Sequence, residues 1–229
     1  MKGFTLAEVL ITLGIIGVVA AITIPNVVQN YQKKVFSTRL KKTFSDLNQA
    51  IKFSQIENGD VDTWELPDEH DNNTNLWMIN SRNFAEKYIV KYLKGAEFCD
   101  TGMTDSMCAK YVGCGTGAAN YQLADGTLLS VSAISKKNGI YIRIVPIRTT
   151  NLYRSFNRFI LKTSGTLLPD YYVEGYSREK YIKGFTFYKY DGNHYTVSCK
   201  KNSTAQYPAH ACAALLYLDN FEVKDDYPW

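Results

Sequence analysis

Residues Phe4 to Ile24 read FTLAEVLITLGIIGVVAAITI, 21 residues with one ionisable side chain, Glu8. As a helix this stretch is about 31 Å long, close to the hydrocarbon thickness of a bilayer. A core helix of a soluble protein usually keeps a polar face, and this run carries a single charged side chain. A cleaved secretory signal needs a basic leader and a small-residue cleavage site after the apolar run. Here only Met1, Lys2 and Gly3 precede the run, and Pro25-Asn26 follows it. The reading is a retained membrane-spanning helix over residues 4–25.

Working outward, the helix continues. Phe36, Leu40, Phe44, Leu47 and Ile51 recur at helical steps, with Lys33, Lys34, Lys41 and Lys42 largely off that stripe. Asn58-Gly59-Asp60 is a helix stop. The two halves predict one helix of about 80 Å, with a kink or melted turn near Asn26 because Pro25 lacks a backbone donor. The second half, 26–58, must lay its apolar stripe on a body formed by residues 59–229. Within the first half, Glu8 is a carboxylate in lipid and reads as functional. Thr5 and Thr12 share its face. Ala7, Gly14, Gly17 and Ala21 gather on another, and Gly17-x-x-x-Ala21 is a spacing that lets membrane helices approach closely.

The chain has 229 residues and 26.0 kDa, with 45% AVILMFWYC and 21% DEKR, an ordinary globular mixture. Its net charge is +4, and residues 1–59 carry all of that excess, with 7 basic and 3 acidic side chains. A body with no net charge is not built for bulk electrostatic capture of nucleic acid. Residues 57–80 read as an acidic loop, and Ser81–Leu93 as a short helix stopped near Gly95. Beyond residue 118 the pattern becomes strands: Asn120–Leu123 and Thr127–Ile134 around a tight turn, an alternating strand at Ile140, Ile142 and Ile144, then Phe156–Lys162. A hairpin of Phe185–Tyr190 and His194–Cys199 follows, with a closing strand at Ala211–Leu218. A helix followed by a block of strands predicts an α+β fold with an antiparallel sheet.

The segment KGFTLAEVLITLGIIGVVAAITIP resembles the N-terminus of type IV prepilins and type II secretion pseudopilins. The match rests on a short basic leader ending in Gly3, on Phe4 after it, on Glu8 and on Pro25. The resemblance implies a pilin-like architecture, cleavage between Gly3 and Phe4 by a prepilin peptidase, and methylation of the new Phe4 amine. It further implies a membrane-anchored subunit with an exported body, drawn by an inner-membrane assembly platform into a filament of pilin-like subunits. Residues 1–3 are then a leader, and Glu8, Gly14, Gly17, Ala21 and Pro25 the assembly positions. Lys33, Lys34, Arg39, Lys41 and Lys42 pull the other way, because basic residues after a span favour a cytoplasmic body. The leader motif is the stronger signal, being a recognition element where the charge rule is a bias.

An exported body permits disulfides, and the resemblance implies a C-terminal pair, Cys199–Cys212. Cys99, Cys108 and Cys114 then leave one pair and one free thiol, with no choice made by spacing. Five reduced cysteines are the expectation for a cytoplasmic body. No C-x2-C spacing supports zinc. Asp68, Glu69, Asp71, Asn72 and Asn73 offer oxygen ligands without the spacing of a calcium loop, and a solvated acidic loop is the plainer reading. Gly113–Gly117 lacks the strand, helix and Lys-Ser/Thr ending of a phosphate loop. His70, His194 and His210 form no visible set. Residues 136–201 hold 13 Lys+Arg and nine tyrosines. That mixture suits a contact with the acidic 57–71 stretch of a neighbour, or single-stranded nucleic acid or a surface ligand, or a plain half-exposed sheet. The expectation is a structural subunit with no catalysis, no cofactor and no metal.

Overall fold

The computed structural model describes residues 3, 5–66, 74–99, 117–135, 139–149, 151–155, 157–188 and 194–229. Helix α1 runs unbroken from Leu6 to Asn58. The melted turn expected near Asn26 is absent: Pro25 lies inside the helix and both of its neighbours remain helical. Proline removes a single donor from the hydrogen-bond ladder, and the turns on either side carry the helix past it. The helix stops at Gly59, whose N–H bonds the Gln55 carbonyl with φ at +80°; a left-handed backbone there favours glycine.

The remaining elements follow in chain order. Helix α2, Thr74–Tyr88, begins seven residues before the expected start and takes the end of what reads as a loop. Strands β1 (Glu97–Phe98), β2 (Ala119–Gln122), β3 (Leu128–Ser135) and β4 (Gly139–Val145) come next. After a short helix α3 (Leu152–Ser155) come β5 (Asn157–Leu161) and β6 (Leu167–Pro169). Helix α4 (Arg178–Lys183), the hairpin β7 (Phe185–Tyr188) and β8 (His194–Val197), and helix α5 (Cys212–Leu218) complete the described chain.

Strands β1 to β6 form one sheet in sequence order, every neighbour antiparallel. This is the α+β, pilin-like arrangement of a long helix on an antiparallel sheet. Sequential pairing needs only short turns. The β2–β3 turn is closed by the Gly126 N–H on the Leu123 carbonyl, at 2.8 Å. Alternation sets the faces: Ile140, Ile142 and Ile144 of β4 are buried towards the core, while Tyr141 and Arg143 are half-buried on the other side.

Phe36, Leu40, Leu47 and Ile51 of α1 are wholly buried in that core. Each contributes about 1.5–3 kcal/mol of apolar transfer before chain ordering is set against it. Thr43 and Ala50 are buried between them, small side chains that bring the helix close to the sheet. Phe44 lies at the edge of the stripe, half-buried, with its ring 5.2 Å from Phe159 and 5.0 Å from Phe221.

The closing strand expected at Ala211–Leu218 is instead helix α5. Its sequence, CAALLYL, has good helix formers and no β-branched residue, and a short apolar run does not declare its period. The helix ends in a Schellman motif: the Phe221 N–H reaches the Leu216 carbonyl at 2.6 Å and the Asn220 N–H the Tyr217 carbonyl at 3.2 Å. Asn220 has the left-handed φ, +53°, that this ending requires.

Candidate assembly helix and its junction with the body

The first half of α1 touches nothing in the described chain. Its most apolar 18-residue window is wholly unburied, and Leu10, Leu13, Ile16, Val18, Ile22, Val27 and Val28 are all exposed. No atom outside the helix lies within 4 Å of where a Cβ on Gly14 or Gly17 would sit. The small-residue face with Ala21 is therefore open for another helix.

Thr5 caps the helix. Its backbone N–H donates to Glu8 Oε2 at 2.8 Å, and its hydroxyl donates to the same oxygen at 2.8 Å. The Glu8 N–H reaches Thr5 Oγ1 at 3.3 Å. This is a capping box: the Thr-x-x-Glu spacing lets each residue satisfy the other's orphan group. Thr12 Oγ1 bonds the Glu8 and Val9 carbonyls, both at 2.9 Å. The Glu8 carboxylate is thus turned towards the helix N-terminus, where the macrodipole favours negative charge. Reading Glu8 only as a carboxylate without a cation misses this; the spacing Thr5-Leu6-Ala7-Glu8 was the available signal. Gly3 is described and exposed, while Phe4 lies outside the described residues.

Burial begins abruptly at Phe36, where the C-terminal tail closes over the helix. Trp229 meets Phe36 edge-on at 5.5 Å, and the Arg154 guanidinium lies 4.4 Å from the Trp229 ring centre. Tyr227 is buried and its hydroxyl donates to the Tyr153 carbonyl. Ser37 donates to the Phe221 carbonyl, and Arg39 Nη1 to the Pro146 carbonyl at 3.1 Å. Arg178 fastens the tail from the far side. Its Nε reaches the two Asp219 oxygens at 2.9 and 2.7 Å, and its terminal nitrogens grip Asp226. Lys224 adds a contact to Asp219 at 2.6 Å. The Arg178 hydrogen bonds hold the Asp226 carboxyl below its ordinary range.

Cys199 and Cys212 are joined by a disulfide. It ties the stretch after β8 to the first turn of α5, so it links a strand end to a helix and not two strands. Cys99 is disulfide-bonded as well; Cys108 and Cys114 lie outside the described residues.

The other sequence expectations divide. Asp68, Glu69, Asp71, Asn72, Asn73 and His70 lie outside the described residues, as does most of Gly113–Gly117. Among the described residues no group of three or more His, Cys, Asp or Glu is placed to hold a metal ion. His210 Nδ1 lies 3.3 Å from the Tyr171 hydroxyl and its ring stacks on Tyr207, while His194 is on β8, apart from this contact in the sequence.

Two of the four described acidic residues of the 57–71 stretch, Glu57 and Glu65, are ion-paired within the chain, while Asp60 and Asp62 are exposed. Glu57 pairs with Lys91 and accepts from the Tyr92 hydroxyl at 2.6 Å, and Glu65 pairs with Lys87 at 2.8 Å. Much of the basic, tyrosine-rich segment is likewise spent internally. Arg158 binds Asp170 through Nε at 2.7 Å and lies over Tyr141, and Tyr171 and Tyr181 are core residues. Burial pushes the Tyr171 phenol well up from its ordinary value.

The chain joins a folded α+β body to a helix that is bare for half its length and is long and apolar enough to cross a membrane. Residues 26–229 match the family of unknown function DUF6613, and the chain belongs to that family. A separate comparison finds 39% identity over 62 residues with the prepilin peptidase-dependent protein D of Escherichia coli (strain K12). That match takes in 27% of this chain and spans 42% of the length of that relative. No solved structure matches the chain.

Proposed function

We propose that this chain is a pilin-like structural subunit, major or minor, of a type IV pilus or a type II secretion pseudopilus, with no catalysis of its own. One observation carries the reading: a single unbroken helix is bare and apolar from Leu6 to Val28 yet packed into a core from Phe36 to Ser54. The bare half suits two environments in turn, lipid before assembly and neighbouring helices afterwards. Packing in lipid favours small residues such as Gly14, Gly17 and Ala21. The name of the Escherichia coli relative supports processing by a prepilin peptidase, here between Gly3 and Phe4 with methylation of Phe4. The disulfides favour an exported body in an oxidising compartment.

Processing creates an amine at Phe4, beside the end of the helix towards which the capping box turns Glu8. In a filament, the amine of a neighbouring subunit at the same depth pairs with Glu8 and sets the axial register. The test uses protein from the native host. Intact-mass spectrometry should show loss of Met1-Lys2-Gly3 and gain of one methyl. Glu8→Leu should be inserted and cleaved normally yet be depleted from sheared filaments. A chain that keeps Met1 while residing in a filament overturns the reading.

A further inference from the structure

The basic residues that follow the apolar span share a groove with two acids. Lys33, Lys34 and Lys41 on α1, and Glu222 and Asp225 on the C-terminal tail, line one space of about 540 Å³. None of the five takes part in a salt bridge among the described residues. Elsewhere Lys42, Arg82, Lys87, Lys91, Arg158 and Arg178 each hold a carboxylate, while other lysines such as Lys52, Lys94 and Lys162 hold none among the described residues. What sets this groove apart is that unpaired charges of both signs line one space. The two walls are kept in place by other contacts: one is a continuous helix, the other a tail held by the Ser37–Phe221 hydrogen bond and by Arg178.

The groove lies at a particular height. The exposed apolar surface of α1 runs to Val28, Tyr31 is 68% exposed at its edge, and the groove opens at Asn30. Tyrosine is enriched at the membrane–water interface. Lys33 and Lys34 stand about 8–9 Å beyond Val28 along the axis. The polar layer of a leaflet is about 5–8 Å deep, and helical side chains lean back towards the preceding turn, here towards the membrane.

We propose that this groove seats the headgroup of a phospholipid that carries a primary ammonium, with its phosphate on Lys33 and Lys34 and its ammonium on Glu222 and Asp225. This rests on the membrane-anchored reading above. A purely anionic headgroup would answer the lysines and leave two carboxylates facing a phosphate. A choline headgroup has the right charges but no N–H to donate to a carboxylate. Of these three headgroups, the zwitterion with a primary ammonium is the one that satisfies both walls with charge-assisted hydrogen bonds. The same lysines that would signal a cytoplasmic body thereby acquire a role at the surface of an exported one.

The experiment places the full chain in nanodiscs of phosphatidylcholine alone, or mixed equally with phosphatidylethanolamine or with phosphatidylglycerol, and follows amide exchange of residues 219–226. Exchange should slow about tenfold, the equivalent of about 1.4 kcal/mol, in the phosphatidylethanolamine discs alone. The slowing should vanish in Lys33→Gln/Lys34→Gln and in Glu222→Gln/Asp225→Asn. Equal exchange in all discs overturns the proposal, and so does greatest slowing with phosphatidylglycerol, which would mark a simple basic collar. Equal slowing by soluble phosphoethanolamine in lipid-free maltoside micelles overturns the lipid as the source. Slowing that rises with the number of chains per disc assigns the groove to a second copy instead. Free exchange of residues 6–28 in every disc would overturn the anchored reading, and the headgroup assignment with it.

Discussion

The two halves of α1 follow the same helical geometry and answer to different surroundings. From Leu6 to Val28 nearly every side chain is exposed, and apolar residues go round the whole circumference. From Phe36 to Ser54 the buried positions are Phe36, Leu40, Thr43, Leu47, Ala50, Ile51 and Ser54, a single stripe at steps of one, three and four. The contrast teaches where each half obtains its stability. The second half is held by the body's core, whereas the first has, among the described residues, only its own hydrogen bonds and its cap.

The sharpest way to break this contrast is to remove the same side chain from each half. Leu47→Ala should destabilise the body by about 2–5 kcal/mol, since it empties a fully packed site. Leu13→Ala should leave the body's stability within about 0.5 kcal/mol. Urea unfolding of the full chain in a neutral detergent, followed by the aromatic signal of the body, reads both. Equal losses would show that the halves do not separate energetically.

A smaller effect sharpens the bare half. Thr5→Val removes the hydroxyl of the capping box, and loss of such a cap costs about 1 kcal/mol. Amides of the first turn, Leu6 to Glu8, should exchange about fivefold faster. Those of Phe36 to Ser54 should not change. Faster exchange along the whole helix would mean that the cap stabilises more than its own end.

The smallest effect concerns the packed half and is set by pH. The Asp226 carboxyl is held below its ordinary value of 3.8, chiefly by hydrogen bonds from Arg178. A carboxyl depressed in the folded state adds stability that is present above its unfolded pKa and lost as pH falls through the folded one. The tail should therefore be fully fastened above about pH 4 and loosen below it. NMR shifts of residues 226–229 should report this, with no parallel change in Leu10 to Val19. Asp226→Asn should remove that pH step; an unchanged step would assign it to another carboxyl.

Sequence alone determined the elements whose residues declare their own period. The 21-residue apolar run marks the bare half, and Phe36, Leu40, Leu47 and Ile51 mark the packed one. Ile140, Ile142 and Ile144 alternate cleanly, and Ala124-Asp125-Gly126 names its turn. In each, the residues that set the structure are close neighbours in the chain, and the same spacing governs backbone and burial. Tertiary structure decided what such spacing leaves open. Ala211–Leu218 is an apolar run too short to show a period, and it became a helix because its alanines and leucines pack as one. The acidic and basic stretches read as free surfaces until their partners came into view: Glu57 finds Lys91 34 residues away and Arg178 finds Asp219 at 41. The groove beside Lys33 forms where the C-terminal tail returns to the helix, held by the Ser37–Phe221 contact across 184 residues and by Arg178. Local periodicity is written along the chain, whereas the pairing of charges depends on which distant segments the buried core draws together.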